Sequence, residues 1–95
     1  MNVTYIGLVR HAAGVGEEGV ELPTGATVRD LLHLLADKHG AELRDALFED
    51  HGQVCRFLRV LAGNTDIDEM NGFHTLLDGV KDVALVIVIP QFAGG

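Results

Sequence analysis

The most constraining feature of the sequence is an apolar run near its end, DVALVIVI at residues 82–89. Residues 83–89 are all apolar and most are β-branched, which is typical of a strand. Because both faces of such a strand are apolar, the run predicts a central strand rather than an edge strand. It is too short to cross a bilayer, which takes about 20 residues.

Residues 27–40 carry the clearest helix pattern. Thr27 is a favourable N-cap, and Asp30, three residues later, is an acidic variant of the capping box. Gly40 can end the helix in a left-handed conformation. Apolar residues recur at the spacing of one helix face, at Val28, Leu31, Leu32, Leu35 and Ala36. This face must lie on a core, which we expect to be a sheet.

Weaker patterns predict the elements around this helix. Residues 2–9 and the segment GVELP at 19–23 predict the two strands of a β-hairpin, and HAAGVGEEG predicts the Gly-rich turn between them. Residues 41–48 predict a short second helix. Residues 54–62 predict a third strand, which the turn GNTD would end.

The order of these elements predicts an α+β fold of the β-grasp (ubiquitin-like) class. It would have a mixed sheet of four to five strands, one main helix and a short second helix. The first and last strands would be central and parallel, since the crossover between them is long enough. Residues 68–79 would be irregular, with a brief strand near Ile67. The domain would span residues 1–89, followed by a flexible tail at 90–95.

One face of the predicted last strand has no obvious cover. A β-grasp sheet carries its main helix on one face only, yet Ala84, Val86 and Val88 alternate with apolar neighbours. The second helix and the irregular segment could cover the other face, or part of it could bind a partner. We expect a mixture of the two.

Composition limits the class of function. The 95 residues suffice for one domain, and the formal net charge of -7 argues against binding nucleic acid or an anionic membrane. A single cysteine, Cys55, excludes an intramolecular disulfide and favours a reducing compartment. The N-terminal residues show no signal-peptide pattern. We therefore expect a soluble cytoplasmic protein.

The histidines and Cys55 do not form a metal-binding or nucleophilic pattern. No two histidines have the i, i+4 spacing of a zinc site, so we expect them to be solvated. Cys55 has no adjacent base in the sequence and is expected to be a small core residue rather than a nucleophile. The five histidines are His11, His33, His39, His51 and His74.

Several segments, in order, carry a resemblance to a known family. They are VRHAAG at 9–14, ELPTGATVRDLLHLLADKHG at 21–40, RFLRVLAGNTDI at 56–67, LLDG at 76–79 and IPQFAGG at 89–95. Together they resemble the MoaD/ThiS ubiquitin-like sulfur carriers, most of all the small subunit of molybdopterin synthase. The order of the segments and the terminal Ala-Gly-Gly are more specific than any single segment.

The resemblance implies a reaction at the C-terminus. A partner related to ubiquitin-activating enzymes would use ATP to adenylate the carboxylate of Gly95, and sulfur would then replace the adenylate to give a thiocarboxylate. Gly94, which has no side chain, would precede the reactive Gly95. The partner-binding tail would comprise Pro90, Gln91, Phe92 and Ala93. In a molybdopterin synthase the large subunit would receive this sulfur. The carrier itself would bind no cofactor or metal, and its side chains would have no catalytic role.

Physical chemistry makes such a tail reasonable. A carboxylate is a poor electrophile and must be activated before sulfur can attack it. Glycine has no Cβ, so Gly94 and Gly95 can enter a narrow channel. Pro90 has no backbone N–H and would end the sheet pairing. Contacts from Phe92 would offset part of the entropy lost when the tail is ordered.

Other functions fit the same pattern. The chain could carry sulfur for thiamine, cysteine, tungsten cofactor or thiolated tRNA. It could be a protein modifier that forms an isopeptide bond between Gly95 and a target lysine. It could also be an interaction module with no chemistry, and then the terminal glycines would be an ordinary frayed end.

Overall fold

The computed structural model describes residues 1–89, which form a five-stranded sheet and three α-helices. The strands are β1 (Asn2–Ile6), β2 (Glu17–Gly19), β3 (Leu58–Ala62), β4 (Thr65–Asp66) and β5 (Asp82–Ile87). The helices are α1 (Leu8–Ala13), α2 (Val28–His39) and α3 (Ala41–Leu47). Short 3-10 turns occupy Asp50–Gly52, Ile67–Glu69 and Gly72–His74.

The sheet order is β2-β1-β5-β3-β4. Strands β1 and β5 pair in parallel, and all other pairs are antiparallel. The first and last strands are therefore adjacent and the last strand is central, as the sequence predicts. This topology confirms the predicted β-grasp fold.

Helix α2 begins and ends where the pattern predicts. The Thr27 side chain accepts a hydrogen bond from the Asp30 N–H, and the Asp30 carboxylate accepts one from the Thr27 N–H at 2.9 Å. Hydrogen bonds from the Thr27 N–H, and then from the Thr27 hydroxyl, to this carboxylate lower the pKa of Asp30. The N–H of Gly40 donates to the Ala36 carbonyl at the other end. The five predicted core positions of this helix are all buried, which confirms its apolar face.

All three helices lie on the same face of the sheet. Val9 of α1, Leu35 of α2 and Leu43 of α3 join Leu85 of β5 in one hydrophobic core, and Leu77 of the predicted irregular segment joins it too. The second helix and that segment thus add to the core on the face of the sheet that helix α2 covers. The expectation that they cover the other face is wrong, and no helix of residues 1–89 packs on that face of the sheet.

Helix α1 (Leu8–Ala13) replaces the end of the predicted first strand and the first three residues of the predicted Gly-rich turn. Residues 7–9 leave the first strand, which ends at Ile6, and the hairpin partner is Glu17–Gly19 rather than residues 19–23. Val9 and Ala13 are buried one helical turn apart, so packing stabilises a helix that its glycine-rich surroundings disfavour. Gly14, at φ 79°, ends the helix in the left-handed conformation.

The remaining boundaries differ by a few residues. Strand β3 starts at Leu58 instead of residue 54, because Cys55 bonds back to Leu47 and starts a tight turn. The brief strand expected near Ile67 is β4, which pairs with the end of β3. Among residues 1–89, each helix falls short of the length and apolar character that crossing a membrane requires.

Candidate functional site

The candidate site lies at the end of the sheet where the two central strands β1 and β5 finish. Because these strands are parallel and Ile6 pairs with Val86, both end on the same side of the molecule. We call this side the tail edge, since the chain continues from β5 toward residue 90. The Val88 N–H donates to the Phe57 carbonyl at 2.9 Å, which holds the chain in place just past the strand.

The residues predicted to act chemically lie outside the described part of the chain. They are Pro90, Gln91, Phe92, Ala93, Gly94 and Gly95. Their roles stay predictions. What the structure defines is the base from which they extend.

Exposed apolar side chains surround this base. Of the seven large apolar side chains that are well exposed among residues 1–89, five lie at the tail edge. We call these five the apolar rim: Ile6 (44% exposed), Leu8 (54%), Val15 (41%), Val88 (54%) and Ile89 (59%). The other two, Met70 and Leu76, lie elsewhere. Single exposed apolar residues are common, but their concentration on one side marks a contact surface.

The rim continues onto the open face of the sheet. Strand pairing places Thr4, Ala84 and Leu61 side by side in one row, and Ile6, Val86 and Arg59 in the next. No helix among the described residues packs on this face, and Ala84, Val86 and Leu61 are only half-buried. The open face is therefore an apolar strip that leads to the tail edge.

Arg59 borders the strip on the β3 side. Its guanidinium contacts the Asp66 carboxylate at 2.6 Å and the Asp68 carboxylate at 3.0 Å. Hydrogen bonding and attraction to Asp66 raise the pKa of Arg59. Chiefly a hydrogen bond from the Asp68 N–H, and then Arg59, lower the pKa of Asp66. The positive charge of Arg59 is thus already compensated within the protein.

Arg10 borders the strip on the β1 side. Its side chain lines a groove with Thr4 and Ile6 and a second groove with Leu8 and Val15. Arg10 has no salt bridge among residues 1–89. The two borders of the apolar strip therefore differ in electrostatic character.

A polar cluster on the helix face fixes the edge strand β2. The Glu18 carboxylate accepts hydrogen bonds from the Tyr5 hydroxyl at 2.6 Å, from Lys38 and from His39. Burial acts to raise the pKa of Glu18, but hydrogen bonds from Lys38, Tyr5 and His39 outweigh it and lower this pKa to about 2. Burial and the adjacent Glu18 raise the pKa of Tyr5. The cluster ties β2 to the end of α2.

The histidine and cysteine predictions are met in part. His39 is not solvated, because it is half-buried and bonded to Glu18. His33 is exposed but stacks on Phe48, with 4.7 Å between ring centroids. Cys55 is half-buried and packs against the core, as expected. Within the described residues, no three His, Cys, Asp or Glu side chains are grouped as a metal site. The three exposed, solvated histidines are His11, His51 and His74.

Sequence reasoning missed most of the rim and Arg10. Ile6 and Leu8 lay within the predicted strand at residues 2–9, Arg10 directly after it and Val15 within the predicted turn, so neither their exposure nor their proximity was visible. The available signal was the i, i+4 spacing of Val9 and Ala13, which predicts a helical turn.

Solved structures match the chain over nearly its whole length. The crystal structure of SAMP1 from Haloferax volcanii covers 97% of this chain and 98% of its own, with 21% identity and a TM-score of 0.82. The solution structure of small archaeal modifier protein 1 from Methanosarcina acetivorans covers 96% and 94%, with 26% identity and a TM-score of 0.78. No protein-family model matches the sequence, and no curated protein is significantly similar to it.

Two further matches carry different functional names. A putative molybdopterin converting factor subunit 1 from Pyrococcus furiosus is 22% identical, covers 93% of this chain and 95% of its own, and has a TM-score of 0.68. In the Amycolatopsis orientalis BexX/CysO complex, the matching chain is 17% identical, with coverages of 96% and 98% and a TM-score of 0.72. These likenesses confirm the β-grasp fold and the resemblance to small ubiquitin-like proteins of this group. The names of these matching proteins refer to different functions, so the feature that all of them share is the fold.

Proposed function

We propose that this protein is a sulfur carrier that serves as the small subunit of a molybdopterin synthase-type complex. In this proposal a partner enzyme adenylates the Gly95 carboxylate with ATP and releases pyrophosphate. A sulfide-level donor then displaces AMP and leaves a C-terminal thiocarboxylate. A large partner subunit accepts that sulfur for molybdopterin. The fold likeness to the Pyrococcus furiosus protein and the terminal Gly-Gly support this choice.

The observation that carries the proposal is the position of the apolar rim. Five exposed apolar side chains surround the sheet edge from which the last six residues extend. A carrier must present its terminus to an active site while its body docks at the entrance of that site. An apolar surface around the base of the tail meets this requirement, because burying it against the partner drives association.

The central strand provides a rigid base for the tail. Strand β5 is paired on both sides, with β1 and β3, and Leu85 at its centre is fully buried. Six residues in extended conformation span roughly 20 Å. A terminus of that length can reach a recessed active site while the rim contacts the partner surface.

Two other functions have specific support. The likeness to small archaeal modifier protein 1 favours a modifier, in which a lysine amine would displace AMP from Gly95 and form an isopeptide bond. The likeness to the BexX/CysO complex favours a carrier for another pathway. Both share adenylation of Gly95 with the main proposal and differ in the acceptor.

Intact mass spectrometry tests the common step. The chain would be incubated with ATP, a sulfide donor and the adenylating enzyme from the same genome. We expect the mass to rise by the difference between one sulfur and one oxygen atom. A chain without Gly95 should fold normally and show no change. If neither an adenylate nor a thiocarboxylate forms on the intact chain, the carrier proposal is wrong.

A second measurement distinguishes sulfur transfer to a pterin precursor from conjugation to a lysine. The thiocarboxylated chain would be mixed with the candidate large subunit and the sulfur-free pterin precursor. Formation of molybdopterin supports the main proposal. Higher-mass conjugates on cellular lysines, with no sulfur transfer to the pterin, would instead identify a modifier.

A further inference from the structure

Arg10 is placed differently from the other arginines of the protein. Arg44, Arg56 and Arg59 each form a salt bridge with a nearby carboxylate. Arg10 and Arg29 have none among residues 1–89, and of these two only Arg10 lies at the tail edge. The tail edge thus holds an arginine whose charge the described residues do not neutralise.

The backbone leaves room for the Arg10 guanidinium. The side chain lies against Gly16, where a Cβ atom would be 3.3 Å from the Arg10 Cζ and Nε atoms. Such a contact is tight, so a larger residue at position 16 would displace the guanidinium. Glu17 lines the same groove but is not within 4.0 Å of Arg10 as an ion pair. Gly16 therefore leaves space for the guanidinium in the groove that Arg10 shares with Thr4 and Ile6.

The apolar surroundings of Arg10 strengthen any ion pair formed there. Its two grooves are lined by Ile6, Leu8 and Val15 of the apolar rim. A partner that covers the rim removes water from these grooves, and a guanidinium–carboxylate pair gains strength as the local dielectric constant falls. Apolar contacts alone do not define one docking orientation. An ion pair at the border of the apolar rim does define one.

We infer that Arg10 binds a carboxylate of the adenylating partner and thereby orients the tail for activation. This inference rests on the proposed function and names the chemistry of the partner surface: an apolar patch with an Asp or Glu at its border. A guanidinium matches a carboxylate in a bidentate geometry that lysine cannot reproduce. The protein carries a net charge of -7, so an acidic group on the partner finds attraction at this edge and repulsion over much of the remaining surface.

The nucleotide phosphates are a less suitable occupant. The adenylate forms on Gly95, six residues beyond Ile89, which in extended conformation is roughly 20 Å away. Arg10 is the third residue of α1 and lines a groove with Ile6 at the tail edge. Its expected partner is therefore a side chain at the entrance of the enzyme's active site.

Binding kinetics of the full-length protein to the adenylating enzyme test this inference. We expect Arg10→Gln to weaken binding about 10- to 100-fold, mainly through faster dissociation, and Arg10→Glu to weaken it further. Arg10→Lys should recover only part of the loss. Arg29→Gln is the matched control, because Arg29 is also exposed and outside any salt bridge of residues 1–89, and it should leave binding unchanged.

Three results would overturn the inference. Equal binding by the intact chain and Arg10→Gln would show that the arginine makes no contact, while leaving the proposed function intact. A defect that appears only with ATP present would assign Arg10 to the nucleotide phosphates. A failure of the intact chain itself to bind or be adenylated would refute the proposed function and this contact together.

Steady-state adenylation gives an independent measure. Because Arg10 is inferred to orient the carrier, Arg10→Gln should raise the KM for the carrier and change kcat little. An Asp→Arg or Glu→Arg substitution at the contacting position of the enzyme should restore binding to Arg10→Glu. If no acidic residue around the enzyme's channel behaves in this way, the inference is wrong.

Discussion

At the residue scale, Glu18 is the most strongly perturbed carboxylate of the described chain. Its pKa falls from 4.5 to about 2, because Lys38, Tyr5 and His39 donate to the ionised form. A carboxylate whose pKa is lower in the folded state stabilises the fold above its unfolded pKa. That stabilisation is lost as pH falls from about 4.5 toward 2.

We therefore predict that Glu18→Gln lowers the free energy of unfolding at pH 7 by about 1–2 kcal/mol. The difference from the unmodified protein should shrink as pH is lowered toward 2. Urea unfolding at both pH values measures it. Glu17→Gln is the control, since Glu17 is the exposed neighbour in the same strand. An equal deficit at both pH values would contradict the charge-based explanation.

At the element scale, the N-terminus of α2 shows how a local pattern translates into stability. The Thr27 hydroxyl accepts from the Asp30 N–H at 3.3 Å and completes the capping box. We predict that Thr27→Ala lowers the free energy of unfolding by about 1 kcal/mol, because a helix N–H loses its partner. Thr24→Ala, at an exposed position before the helix, should change it little. Chemical denaturation followed by circular dichroism compares the two, and an equal loss would refute the cap's contribution.

Elements with strong intrinsic patterns could be predicted, and those that depend on packing could not. Helix α2 has a cap, a periodic apolar face and a glycine stop, and β5 has an uninterrupted apolar run, so both appeared in the expected places. Helix α1 has only six residues among glycines. Its stability comes from burying Val9 and Ala13 under tertiary contacts, which no local pattern contains.

The candidate site also has one part that the sequence could predict and one part that depends on the fold. The chemistry expected of Gly95 is implied by the family resemblance, which short segments of the sequence carry, and it stays a prediction. The rim, in contrast, joins Leu8 and Val15 to Val88 across more than half of the chain, through the parallel pairing of β1 and β5. Residues this far apart in sequence become neighbours only through topology, so their grouping had to come from the structure.

At the scale of the whole molecule, the apolar rim and a group of exposed acidic residues lie at opposite ends of β1 and β5. The rim lies where β1 and β5 end, while Glu21, Asp78 and Asp82 are exposed around the opposite edge, where these strands begin. This asymmetry favours docking with the tail edge toward the partner. Under the proposed function, exposed acidic residues at the other end would disfavour binding of the partner there.

Two matched leucines test this orientation. Leu8 in the rim is 54% exposed and Leu76, away from it, is 56% exposed, so replacing either with serine removes a similar apolar surface from water contact. Neither change should unfold the protein, because both side chains are largely solvated already.

We predict that Leu8→Ser raises the KM for the carrier in ATP–pyrophosphate exchange by about 5-fold, since roughly 1 kcal/mol of apolar burial is lost from the complex. Leu76→Ser should leave this KM unchanged, and the two variants should share one melting temperature. If Leu76→Ser impairs adenylation as much as Leu8→Ser, the partner does not dock at the rim. In that case the exposed leucines act through general surface properties, and the grouping of apolar side chains around the tail has no role in recognition.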